Sequence, residues 1–89
     1  MSGIIIISRS EKGEAAINQN LKEHKNASFK EKILFRQSVS METRENPLSL
    51  VISGKHRYLT PAAIEPIAVD MMTANGAKPG TDYTIEVVE

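Results

Sequence analysis

The chain has 89 residues, 40% of them hydrophobic, with 11 Lys and Arg against 11 Asp and Glu and no cysteine. This length fits one domain, residues 1–89, with a thin core. The apolar content excludes a disordered chain, the missing cysteine excludes disulfides, thiolate nucleophiles and cysteine-based zinc sites, and zero net charge speaks against a general nucleic-acid binder.

The first element is Ile4–Ile7, four β-branched residues ended by polar ones, which predicts a strand. A helix follows. Ser8 with Glu11 fits a capping box, and Ser10 is the alternative cap. Ala15, Ala16, Ile17 and Leu21 form its apolar stripe, with Asn18, Gln19, Asn20, Lys22 and Glu23 expected to face water and Asn26 as its stop. Lys32–Met41 alternates, with Ile33, Phe35, Val39 and Met41 on one face, and predicts a half-buried strand. Glu42–Pro47 reads as a charged turn. Leu48–Ser53 reads as a third strand, again nearly continuous in apolar character. After Gly54–Leu59, Thr60 is a cap and Pro61 a first helical residue. The second helix runs to about Ala74, with a kink or restart expected at Pro66, and Gly76 ends it. Pro79-Gly80 turns the chain into a last strand, Thr81–Val88.

The order βαββαβ predicts an α+β, ferredoxin-like fold: a four-stranded antiparallel sheet in the order 4-1-3-2 with two helices on one face. That order puts the two strands that are apolar on both faces, the first and third, in the centre. One face then has no helix to cover it. Val51, Leu34 and Val88, with one alternate pair of the isoleucines, fall on that face by alternation. Apolar patches of this kind mark interfaces, so a homodimer through the sheet is expected.

Charge is unevenly placed. Residues 22–57 carry eight basic and four acidic residues, and residues 58–89 carry one basic and five acidic. The predicted topology brings the first helix's exit and the second helix's entry to one end. Lys25, Lys30, Lys32, Lys55, His56 and Arg57 would converge there as an anion- or partner-binding pole. Arg9 and Lys12, at the first helix start, form a secondary anion candidate. His24 and His56 lack metal-ligand spacing, and neither a phosphate-loop pattern nor a nucleophile elbow is present. No metal, cofactor or catalytic set is expected.

An RNA-binding sheet of the RRM kind stacks bases on aromatics of its central strands. Ile4–Ile7 and Leu48–Ile52 have none. The sequence therefore predicts a small non-enzymatic protein-interaction or regulatory module, such as an inhibitor of a larger complex, that self-associates and meets a partner with an acidic surface. The alternative is a nucleic-acid or phosphate binder using the basic pole. The four-isoleucine run is too short for a signal-peptide core or a membrane span, so no membrane partner and a cytoplasmic location, in a cell or an infected host cell, are expected.

Overall fold

The computed structural model describes residues 3–25 and 38–88. Its elements are β1 (Gly3–Ser8), α1 (Glu11–Lys25), β2 (Val39–Arg44), β3 (Ser49–Gly54), α2 (Pro61–Ala74) and β4 (Tyr83–Val88). The four strands form one antiparallel sheet in the order β2-β3-β1-β4. Read from the opposite edge this is 4-1-3-2. The two helices contact each other and lie on the same sheet face, over β1 and β3.

Alternation along the central strands sorts the isoleucines. Ile4 and Ile6 are fully buried and join Leu50 and Ile52 of β3 under the helices. Ile5 and Ile7 point to the other face and are half-buried. The core is completed by Ile17 of α1, Ile64, Ala68 and Met72 of α2, Val39 of β2 and Tyr83 of β4. Fully burying an aliphatic side chain of this size stabilises by about 1.5–3 kcal/mol, so this one cluster holds both layers together.

The first helix starts at Ser10. Its hydroxyl accepts the Gly13 N–H at 3.2 Å, and its carbonyl accepts the Glu14 N–H at 3.0 Å. Ser8, the other cap candidate, is instead the last residue of β1, and its Oγ donates to the Leu48 carbonyl at 2.6 Å. The buried stripe of α1 is Gly13, Ala16, Ile17 and Asn20, a helical i, i+3, i+4, i+7 spacing. Asn20 was expected in water but is completely buried. Its Nδ2 donates to Met72 Sδ at 3.1 Å, and its Oδ1 accepts from Asn75 Nδ2 at 2.7 Å. An amide tolerates this burial because both its ends are bonded.

The second helix has Thr60 as its cap, Thr60 Oγ1 accepting the Ala63 N–H at 3.3 Å, and Pro61 at its first position. It passes through Pro66 as one element of 14 residues, so of the expected kink or restart the restart does not occur. Pro66 and Ala62, the residue four back whose carbonyl a proline cannot bond, are both exposed. Gly76, with φ of 85°, ends the helix. The Ala77 N–H bonds to the Met72 carbonyl and the Gly76 N–H to the Thr73 carbonyl, both at 3.0 Å, and Ala77 tucks back into the core. This is a Schellman motif, which needs a residue tolerant of positive φ at Gly76.

The second strand differs most from its sequence reading. Its described part runs from Val39 to Arg44, so Glu42–Arg44 are strand rather than turn. The turn is residues 45–48. Residues 32–37, read as the start of this strand, lie outside the described residues.

Candidate functional site

Three regions follow from this frame. The first is the open face of the sheet. Strand register puts Gly3, Ile5 and Ile7 of β1 beside Ser53, Val51 and Ser49 of β3. On their flanks lie Val88, Glu86 and Thr84 of β4 and, beyond β3, Ser40, Glu42 and Arg44 of β2. The central strands are therefore aliphatic at Ile5, Ile7 and Val51 with Gly3, Ser49 and Ser53 beside them, and the edge strands are polar or charged except at Val88. Gly3 leaves a gap in this surface. A depression of about 120 Å³ there is lined chiefly by Gly3, Ile5, Val51, Ser53 and Val88, with Arg44 on its wall. Of the predicted interface residues, Val51 is on this face but only 6% exposed within one chain. Val88 is half-buried, and Leu34 lies outside the described residues. The accessible apolar area thus comes from Ile5, Ile7 and Val88 more than from Val51.

The second region is the start of α1, where Arg9 and Lys12 are both exposed. The anion held there is the chain's own Asp82, which the sequence reading missed. Asp82 is 5% exposed. One carboxylate oxygen accepts from Ser10 Oγ at 2.7 Å, the other from the Lys78 N–H at 2.8 Å, and the Asp82 carbonyl accepts the Arg9 N–H at 2.8 Å. The Ser10 hydroxyl first, then the Lys78 N–H and the charges of Lys12 and Lys78, hold the Asp82 carboxyl below its ordinary value against the opposing effect of desolvation. Gly13 is forced at this place, because a side chain there would run into the Asp82 carbonyl. The Tyr83 hydroxyl is buried with no hydrogen-bond partner among the described residues, and desolvation pushes its pKa above the ordinary value.

The third region is the predicted basic pole. Lys30 and Lys32 lie outside the described residues, and Lys25 is the last residue of α1. The Lys55 N–H donates to the Ser38 carbonyl at 2.8 Å, so the entry to β2 and the exit from β3 meet at one end as the topology requires. Lys55, His56 and Arg57 are all exposed. Arg57 Nη2 donates to the Tyr58 hydroxyl at 2.8 Å, with the guanidinium carbon 5.0 Å from the ring centroid. Tyr58 itself is 77% exposed. The sequence marks the charges of this turn but not the pairing of its arginine and tyrosine.

Among the described residues, no group of three or more His, Asp or Glu is placed to hold a metal ion, and no helix is long and apolar enough to cross a membrane. No family model, curated protein or solved structure matches the chain.

Proposed function

We propose that the chain is a small non-enzymatic interaction or regulatory module of ferredoxin-like architecture, of the kind that inhibits or adjusts a larger assembly, and that it self-associates through its open sheet face. The observation that carries this reading is the aliphatic patch on that face, Ile5, Ile7 and Val51 of the central strands with Val88 of β4, which no described helix covers. Four strands of six residues span a face of about 20 by 20 Å. Two such faces together have about 800 Å² of area, the size of a weak or transient interface, so a weak dimer in the micromolar range is expected.

Light scattering after gel filtration tests this. Wild type should elute as a dimer and Ile7→Lys, which puts a charge in the aliphatic patch of the face, as a folded monomer. Identical masses for the two proteins would remove the face from the assembly.

The second reading is a nucleic-acid or phosphate binder at Lys25–Lys32 and Lys55–Arg57. The exposure of Lys55, His56 and Arg57 favours it. Binding that falls steeply with salt would support it. Salt-tolerant dimerisation without such binding supports the first.

A further inference from the structure

We propose that the turn Lys55–Tyr58 is a docking element for a carboxylate-rich segment of another protein, with Arg57 and Tyr58 making the principal contact. The proposal rests on reading the chain as an interaction module, but not on its self-association.

Four consecutive exposed residues, one of them a tyrosine, are held in a fixed shape. The Lys55 N–H is bonded to the Ser38 carbonyl, and the Leu59 N–H closes the turn on the His56 carbonyl at 3.0 Å. Gly54 lies so close beneath that a side chain there would come within 2.6–2.7 Å of the Leu59 carbonyl oxygen and Cβ. Leu59 packs against the core, and Thr60 caps α2. A turn fixed at both ends loses little freedom on docking, which removes one of the main costs of association.

The chemistry of the turn is that of an anion receptor. Residues 54–64 contain no acid, and the first turn of α2 has none to offset the positive end of the helix. The hydrogen bond to Tyr58 uses one of the five N–H donors of Arg57 and orients the planar group. Such a fork matches a carboxylate in two parallel bonds, and the stacked ring limits how far it swings.

A protein segment fits better than a nucleic acid. Arg and Tyr are the side chains enriched in protein–protein hot spots. The described turn offers two full positive charges, few for tracking a phosphate backbone. Among the described residues, the strands of the open sheet face present no aromatic for base stacking.

The test is an NMR titration of the ¹⁵N-labelled full chain with a short peptide of alternating Glu and Asp, and separately with a single-stranded oligothymidine. The peptide should shift the amides around Lys55–Tyr58. Arg57→Gln, Tyr58→Ala and the charge-keeping Arg57→Lys should each weaken binding by roughly tenfold, with dispersed spectra showing that they fold. Peptide shifts elsewhere, no peptide binding, an Arg57→Lys variant that binds like wild type, or tighter oligothymidine binding at the same turn would each overturn the proposal. Sedimentation of the same samples keeps the two surfaces apart. Failure to bind peptide with a dimer intact strikes the turn alone, and a monomer that binds peptide strikes self-association alone.

Discussion

The two helix starts make an informative pair, because they sit at opposite ends of the sheet and solve the same problem differently. Each has a hydroxyl cap, Ser10 or Thr60, that accepts the N–H three residues on. At α1 the positive end of the helix is answered inside the chain: Glu11 and Glu14 lie in the first turn, and the Asp82 carboxylate bonds to the cap itself. At α2 the first turn has no acid, and the residues leading in are Lys55, His56 and Arg57. The position three after the cap shows the same contrast. It is Gly13, pressed against the Asp82 backbone, in α1, and Ala63, exposed to solvent, in α2. One start is committed to holding the fold together. The other leaves its positive field open to a partner, unlike the start beside Arg9 and Lys12.

The largest expected effect comes from filling the closed start. Gly13→Ala improves helix propensity by about 1 kcal/mol, but the added carbon meets backbone that cannot turn aside. Overpacking costs about 1–3 kcal/mol or more, so a net loss is expected, and a larger one for Gly13→Val. Urea unfolding measures it. A stabilised Gly13→Ala would show that the Asp82 turn yields easily.

Next are the caps. Ser10→Ala and Thr60→Ala should each cost about 1 kcal/mol for the lost cap. The Ser10 variant should lose more, because its hydroxyl also serves the Asp82 carboxylate. Equal losses in the two variants would mean that the Asp82 bond adds nothing.

The closed start should also be acid-sensitive. A carboxyl whose folded-state pKa is depressed contributes its stability fully above its ordinary value, near 4, and loses it as pH falls through the lower folded value. Wild type should therefore weaken below about pH 4, and Asp82→Asn should be less stable at neutral pH with a flatter acid limb. Chemical unfolding at a series of pH values checks this; parallel curves for the two proteins would contradict it.

The smallest effects on stability belong to the residues around the open start other than its cap. Ala63→Glu supplies the missing acid and completes a capping box with Thr60, for a gain of about 0.3–1 kcal/mol. It should weaken the peptide titration at the same time. Arg57→Gln should change stability by no more than about 0.5 kcal/mol. An unfolding midpoint well below wild type would mean that the Arg57–Tyr58 pair serves the fold.

The sequence made the frame legible where one local signal dominated. Unbroken aliphatic runs marked β1 and β3 as central, and Thr60-Pro61 and Gly76 bracketed α2 closely. The end of the second strand reads as a turn because it is an edge: Glu42 and Arg44 face outward on the open side, and outward charges on an edge strand look like a turn. Asn20 and Asp82 were missed for another reason. Their partners lie far along the chain, Ser10 and Asp82 being 72 residues apart and Asn20 and Asn75 55 apart. Only the helical spacing of Asn20 from Ala16 and Ile17 hinted at burial. Alternation put Val51 on the open face, but the shielding that leaves it 6% exposed depends on its packed neighbours.

Self-association through the open face is the claim on which the functional reading depends most, and sedimentation equilibrium over a range of micromolar concentrations tests it directly. Wild type is expected to fit a monomer–dimer equilibrium whose heavier species has twice the 9.8 kDa chain mass, while Ile7→Lys stays at the chain mass throughout. A wild-type chain that remains a single species at the chain mass up to tens of micromolar (roughly the range in which an interface of this size should hold) would contradict the account.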